Sequence, residues 1–94
     1  MHAVSSLVIK ALIHLLKIKA WPDAVDSEHW QEEFTRFHGD AADRFTPSMR
    51  RRIDIAKLYE KAPRRMPKSY YGIAPAPLPR SCPVTLEELL AQED

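Results

Sequence analysis

Histidine and carboxylate side chains are the groups in this sequence whose spacing first suggests metal or acid–base chemistry. His29 and Glu33 are four residues apart, which places them on one face of a helix. His38 lies nine residues after His29 and does not extend that pair, and the His-Glu-x-x-His spacing of zinc hydrolases is absent. We therefore predict no metal site. His14 is predicted to be a partly buried side chain that forms a hydrogen bond within the bundle. A hydrolase that uses His29 and Glu33 is the least favoured function.

Other groups that could support catalysis are scarce. Cys82 is the only cysteine, which excludes an internal disulfide and a cysteine-cluster metal site. It precedes Pro83 and has no histidine near it in sequence, so we predict an inert thiol. The two glycines, Gly39 and Gly72, form no phosphate-binding loop. We predict no catalytic residue and no cofactor, and the sequence does not favour an enzyme.

Charged residues are segregated along the chain, although the formal net charge is only +1. Residues 23–43 contain seven acidic side chains and one basic one, whereas residues 44–80 contain ten basic and two acidic ones. One interpretation is a nucleic-acid-binding surface on segment 44–68, with Tyr70 and Tyr71 stacking on bases. Its basic patch would consist of Arg50, Arg51, Arg52, Lys57, Arg64 and Arg65.

We favour a structural interpretation of the same charges. An acidic second helix would pack antiparallel to a basic third helix, so that the two neutralise each other along their shared edge. The near-zero net charge also lacks the strongly basic balance that nucleic-acid-binding domains show.

The elements that must position these groups are helices. Residues 4–20 are apolar on nearly every side, apart from Lys10, His14 and Lys17, which fall on one narrow helical face. The pattern predicts a central helix, covered on several sides and ended by the Trp21-Pro22 pair. A partner interface on this helix would use Leu7, Val8, Ile9, Leu12, Leu15 and Leu16.

Two further helices are predicted from apolar periodicity. Apolar residues spaced four, three, four and four apart predict a second helix over 26–44. Whether Gly39 breaks it stays open, because glycine costs about 1 kcal/mol relative to alanine in a helix interior. Thr46-Pro47 is typical of a helix start and predicts a third helix over 46–62.

A proline-rich segment follows the third helix. Residues 63–84 contain six of the eight prolines, which predicts an extended strap without regular structure. We favour an alternative to base stacking, in which Tyr70 and Tyr71 anchor this strap on the bundle, with buried rings and solvated hydroxyls.

The chain ends in a capping box, Thr85 to Glu88, which predicts a short helix over 85–92. The predicted fold is therefore a single all-α domain over residues 1–94. It is a small three-helix bundle completed by a proline-rich strap and a short C-terminal helix.

No segment of the sequence is expected to enter a membrane. The most apolar stretch, residues 7–18, contains Lys10, His14 and Lys17 and is shorter than the roughly 20 residues that a spanning helix needs. No positively charged start for a secretory signal precedes it. Together with the single cysteine, these features predict a cytoplasmic protein.

Several blocks of sequence occur in a characteristic order and spacing: His14 to Lys17, Trp30, Phe45 to Asp54, Leu58-Tyr59, Leu78-Pro79 and Cys82 to Leu90. In that order and spacing they resemble the bacterial family called "domain of unknown function 29". The resemblance covers roughly residues 12–90 and is most specific in the closing Cys-Pro-x-Thr-Leu-Glu-x-Leu-Leu block.

The resemblance implies a helical protein and no known activity or catalytic residue. It also implies that relatives carry an acidic amphipathic segment before the first helix, and we expect this chain to lack that segment. A second copy of the chain or another polypeptide would then cover the first helix. The expected function is a non-enzymatic protein–protein interaction or self-association, with nucleic-acid binding through segment 44–68 as the alternative.

Overall fold

The computed structural model describes residues 2–90 of the chain, and within them the fold is all-α with no β-strand. Two single 3-10 turns, Pro47–Met49 and Pro63–Arg65, separate the later helices. The helices are α1 (His2–Ala20), α2 (Ser27–Arg44), α3 (Ile55–Lys61) and α4 (Leu86–Leu90).

The first helix, α1, lies at the centre of the fold because its apolar side chains point in several directions. Val4, Val8, Leu12 and Leu16 are almost completely buried and form the middle of the core. Helices α2 and α3 pack against α1, and α4 packs against α2. Each such side chain contributes roughly 1.5 to 3 kcal/mol when it leaves water, so this helix is the main source of apolar burial.

The second helix, α2, runs without a break through Gly39. Trp30 and Ala41 are buried on its inner face, where Phe34 and Phe37 pack against the core. Apolar contacts on that face therefore outweigh the local cost of glycine. At the start of α2, the Asp26 side chain makes no capping hydrogen bond and instead accepts one from the Tyr70 hydroxyl.

The prediction of a third helix over 46–62 is wrong in its first half. Thr46-Pro47 begins only the 3-10 turn, and the chain then turns through residues 50–52. The α-helix starts at Ile55, because the Asp54 carboxylate caps it by accepting hydrogen bonds from the backbone N–H groups of Ala56 and Lys57.

The predicted neutralisation of α2 by a basic third helix is also wrong. Both α2 and α3 pack on α1, and no extensive contact joins them in the described part of the chain. The ion pairs between described side chains are Glu33–Arg36 within α2 and Arg50–Glu87, which links the basic segment to α4. The acidic and basic surfaces of the chain therefore remain separate.

The proline-rich strap, residues 63–84, has no regular secondary structure over most of its length, but it contains the second 3-10 turn and an isolated bridge between Tyr70 and Ile73. Residues 71–77 are all exposed, so burial contributes little to holding this stretch. Four hydrogen bonds attach the strap: Trp21 Nε1 to the Ile73 carbonyl (3.0 Å), Ala76 N–H to the Ala20 carbonyl (2.9 Å), the Tyr59 hydroxyl to the Pro79 carbonyl (2.6 Å), and the Tyr70 hydroxyl to Asp26 Oδ2 (2.7 Å).

The capping box at the last helix is confirmed. Thr85 Oγ1 accepts a hydrogen bond from the Glu88 N–H at 3.1 Å, and Glu88 Oε1 accepts one from the Thr85 N–H at 3.2 Å. Leu86 and Leu89 enter the core, and a hydrogen bond joins the His38 ring to the Leu89 carbonyl. The predicted end of this helix at residue 92 lies outside the described residues.

Candidate functional site

The apolar residues proposed as an interface on α1 lie mostly inside the chain's own core. Val8, Ile9, Leu12 and Leu16 are at most 5% exposed, because α2 and α3 already cover α1. Leu7 and Leu15 are half-buried and keep some surface available. A partner would therefore meet only a narrow part of the predicted surface on α1.

The six residues of the basic patch are all exposed. Arg50, Arg51 and Arg52 lie in a turn and not on a helix, so helical geometry does not set the directions of their side chains. Arg50 Nη1 lies 3.4 Å from Glu87 Oε1, whereas no ion pair is recorded for the other five among the described side chains. An exposed pair of this kind contributes only about 0 to 1 kcal/mol.

Among the described side chains, the histidines do not belong to a group that could hold a metal ion. His29 is exposed, and His38 stacks on Phe34 with ring centroids 5.8 Å apart. His14 Nδ1 lies 2.8 Å from the Lys10 carbonyl, within α1. In the described part of the chain, no three His, Cys, Asp or Glu side chains lie close enough together to hold a metal ion.

Cys82 is half-buried in the strap, and burial raises the pKa of its thiol. A hydrogen bond with the Val84 backbone opposes that increase and has the smaller effect on the pKa. A raised pKa decreases the fraction of reactive thiolate at neutral pH. The environment of Cys82 thus opposes nucleophilic chemistry.

An aromatic cluster lies where α1 ends and the strap crosses it. Trp21, Trp30 and Tyr70 pack together, with ring centroids 5.8 Å apart for Trp21 and Tyr70 and 5.2 Å apart for Trp30 and Tyr70. The indole N–H of Trp21 and the hydroxyl of Tyr70 both donate hydrogen bonds, to Ile73 and Asp26. The cluster is therefore fixed in place by packing and by satisfied polar groups.

Trp21 and Tyr70 of this cluster form the floor of an open groove of about 420 Å³, which we call the apolar groove. Its rim carries Val25, Tyr71 and Ile73, which are 85%, 84% and 58% exposed. These three are the exposed large apolar side chains of the described residues, and all of them line this one groove. The complete lining is Ala20, Trp21, Pro22, Asp23, Ala24, Val25, Tyr70, Tyr71 and Ile73.

The rim of the apolar groove includes a strained residue. Tyr70 and Ile73 exchange backbone hydrogen bonds of 3.0 and 2.9 Å around a two-residue turn. Tyr71 has φ 48° and Gly72 has φ 79°, and positive φ at both central positions is the pattern of a type I′ turn. Glycine adopts this conformation freely, whereas a bulky residue such as Tyr71 is a backbone outlier there.

The apolar groove has a lining that is mostly apolar and aromatic. Its two fixed donors, on Trp21 and Tyr70, are already occupied. Asp23 is the one charged side chain that lines it, and this carboxylate is exposed. The lining of the groove resembles that of small sites that bind proteins, in which apolar and aromatic side chains surround a few polar groups.

This groove was not predicted from the sequence. A buried anchor for the strap was predicted for both Tyr70 and Tyr71. That prediction is right for the half-buried Tyr70 and wrong for Tyr71, whose ring points into solvent. Val25 and Ile73 are single apolar residues in loops nearly fifty positions apart, so no periodicity connects them. The pair Tyr71-Gly72 was the available indication, because a glycine there suits a tight turn that exposes its neighbour.

No helix of the described residues has the length and apolar character needed to cross a membrane.

Comparisons with known proteins place the chain in a family without supplying an activity. No curated protein and no solved structure matches the chain. The family model described as "Domain of unknown function DUF29" matches residues 1–93. The chain therefore belongs to the DUF29 family.

Proposed function

We propose that this protein is a non-enzymatic interaction module that binds an apolar segment of a partner polypeptide in the apolar groove. The observation that carries the proposal is the convergence of Val25, Tyr71 and Ile73 on one groove. Isolated exposed apolar side chains are common on proteins, but a contiguous group of them marks interaction sites.

The construction of the groove supports binding. Trp21 and Tyr70, in its floor, are held by packing and hydrogen bonds before any partner arrives. Little side-chain entropy would then be lost on association, which favours affinity. Tyrosine and tryptophan are also the residue types that contribute most often to binding energy at protein interfaces.

The compartment and source that we propose are the cytoplasm of a bacterium. The single cysteine suits a reducing environment. The bacterial source rests on the resemblance of the sequence blocks.

Selection from a random peptide library displayed on phage tests the proposed function. The wild-type protein is the target, and a variant with Val25→Ser, Tyr71→Gly and Ile73→Ser serves for counter-selection. We expect enriched peptides rich in apolar and aromatic residues that bind the wild type and fail to bind the variant. Peptides that bind both proteins equally, or no enrichment at all, would refute a binding role for the groove.

Nucleic-acid binding is a second candidate function, and one observation favours it. The acidic α2 does not cover the basic segment, so eight basic side chains in residues 50–68 face two acidic ones there. Neutralisation by α2 was the structural interpretation of this surface. Exposed arginines for which no ion pair is recorded among the described side chains, such as Arg51 and Arg52, suit phosphate contacts.

A gel-shift titration of a labelled random-sequence DNA duplex, and of its single strand, tests the second candidate. A phosphate-binding surface should shift the DNA at low salt and lose affinity steeply as salt increases. Replacing Arg51, Arg52, Arg64 and Arg65 by glutamine should abolish the shift, and Arg36→Gln on α2 should not. Absence of a shift even at low salt would eliminate this candidate.

A further inference from the structure

We infer that the apolar groove recognises a cationic side chain, an arginine or lysine, carried by the partner segment between apolar residues. This inference rests on the proposed function and specifies the chemistry of the partner. Three features of the groove favour a positive charge: a carboxylate, the faces of aromatic rings and the C-terminal end of a helix.

The carboxylate belongs to Asp23, the one charged side chain in the lining of the groove. It is exposed, and no hydrogen bond or ion pair is recorded for it among the described residues. Apolar side chains of a partner that fill the groove would remove water around this carboxylate. A cation placed beside it would then offset the cost of that desolvation.

The aromatic rings supply a second attraction. Trp21, Tyr70 and Tyr71 all line the groove, and a cation over an aromatic face gains electrostatic stabilisation. The Tyr70 hydroxyl donates a hydrogen bond to Asp26 Oδ2 at 2.7 Å. This hydrogen bond increases the electron density of the Tyr70 ring. The same cluster already holds a cation within the chain, since Lys17 Nζ lies 6.0 Å from the Trp30 ring centroid.

The end of α1 supplies the third feature. This 19-residue helix ends at Ala20, which lines the groove, and the carbonyl end of a helix favours positive charge. Lys17 and Lys19 lie in its last turn and offset part of that field. Neither of them lines the groove, so Asp23 is the charged side chain that a cation bound there would meet in its lining.

The same charge argument disfavours a second copy of this chain as the occupant. A symmetric contact between two grooves would place Asp23 against its equivalent and bring two carboxylates together in a desolvated site. Like charges in such contacts oppose association. The occupant that the groove fits is therefore a different polypeptide with a basic and apolar segment.

Two small probes of equal shape separate the role of the charge from that of the apolar surface. The full chain, labelled with ¹⁵N, is titrated to millimolar concentrations with n-butylguanidinium and, separately, with the uncharged n-butylurea. We expect saturable shifts of the backbone amides of Val25, Tyr71 and Ile73, with about threefold tighter binding of the guanidinium. Asp23→Asn should remove that preference, and Glu32→Gln, which removes an exposed acid on α2, should retain it.

The outcomes distinguish this inference from the proposed function. Equal affinity for the two probes, or a preference that survives Asp23→Asn, would overturn the cationic preference while the groove remains an apolar binding site. Absence of shifts at these three amides with both probes would also overturn it, whereas the peptide selection decides the proposed function separately. Concentration-dependent shifts of the same amides without any probe would identify a second copy as the occupant and overturn the inference.

Discussion

Tyr71 combines an unfavourable backbone conformation with a side chain that buries little surface. Its φ of 48° costs about 1 to 2 kcal/mol for a residue other than glycine, and its ring is 84% exposed. The tyrosine therefore contributes little buried surface to the fold, although its ring packs edge-on against the Tyr70 ring, with centroids 4.7 Å apart. Strained residues of this kind cluster at functional sites, which agrees with a role in binding at the rim of the apolar groove.

Tyr59 provides a prediction about pH. Its hydroxyl donates a hydrogen bond to the Pro79 carbonyl, and burial raises the pKa of the phenol, with a smaller contribution from Cys82. The neutral form is thus favoured in the folded state. Its stabilisation is complete below the unfolded pKa of about 10 and is lost as the pH rises through the higher folded pKa.

We expect Tyr59→Phe to lower the free energy of unfolding by about 1 kcal/mol at neutral pH, because the hydrogen bond to the strap is lost. Above pH 10, approximately, the variant should lose stability less steeply than the wild type. Urea unfolding at a series of pH values measures both effects, with the exposed Tyr71→Phe as the control. Equal slopes for Tyr59→Phe and the wild type would show that this phenol does not cause the alkaline loss.

At the scale of elements, the strap is held by a few hydrogen bonds and not by a large buried area. Residues 71–77 are exposed, and the bond from Trp21 Nε1 to the Ile73 carbonyl fixes the turn that forms the rim of the groove. The position of the binding surface thus depends on the attachment of the strap to α1.

Trp21→Phe tests that attachment because it removes the indole donor and keeps an aromatic ring. We expect faster amide hydrogen exchange at Ala76, whose N–H bonds to the Ala20 carbonyl, since the strap would open more often. Trp30→Phe is the matched control, because it shortens the neighbouring ring in the cluster without removing a recorded bond to the strap. Equal exchange at Ala76 in the two variants would argue against this attachment.

Gly39 lies inside α2, and apart from its chain neighbours and the backbone of α2 no described heavy atom lies within 4 Å of the position that a Cβ would occupy. Gly39→Ala should therefore gain the helix propensity of alanine without a clash and raise the free energy of unfolding by about 1 kcal/mol. Chemical denaturation measures this increase. A loss of stability would mean that α2 needs the flexibility of glycine.

The parts of the fold that local patterns specify were predictable from the sequence. Apolar periodicity predicts α1 and α2, and the pair Thr85 and Glu88 predicts the start of α4. The third helix was misplaced because Thr46-Pro47 and Asp54 both offer a helix start, and the capping bonds of Asp54 prevail. Apolar periodicity does not show which of two possible N-cap residues starts the helix.

The candidate site was less predictable, because it depends on contacts between distant parts of the chain. Ile73 is held near the end of α1 by the hydrogen bond from Trp21, by the turn after Tyr70 and by the neighbouring bond from the Ala76 N–H to the Ala20 carbonyl. The interface was predicted on α1 instead, because the residues of α1 are apolar on nearly every side. Most of that pattern serves the core, where Leu12 and Leu16 are completely buried.

At the scale of the whole molecule, the chain separates three kinds of surface. The outer side of α2 is acidic, and segment 50–68 is basic. The apolar groove lies where α1, the loop over residues 21–26 and the strap meet. Both α2 and α3 depend on α1 for their packing, so the core holds these surfaces apart. The proposed binding function uses the third of these surfaces.

The central claim is that the apolar groove serves binding and not stability, and Tyr71→Gly tests it most directly. Thermal melting and calorimetric titration with a peptide from the library selection are measured on the wild type, on Tyr71→Gly and on Gly39→Ala. Tyr71→Gly relieves the strain at positive φ and removes an exposed ring, so its stability should be unchanged or up to about 1 kcal/mol higher.

The same variant should bind the peptide at least about tenfold more weakly, because a rim aromatic is lost. Gly39→Ala, stabilised far from the groove, should bind as the wild type does. A Tyr71→Gly protein that melts clearly lower and binds the peptide with undiminished affinity would contradict the account, because Tyr71 would then serve the fold and not the partner.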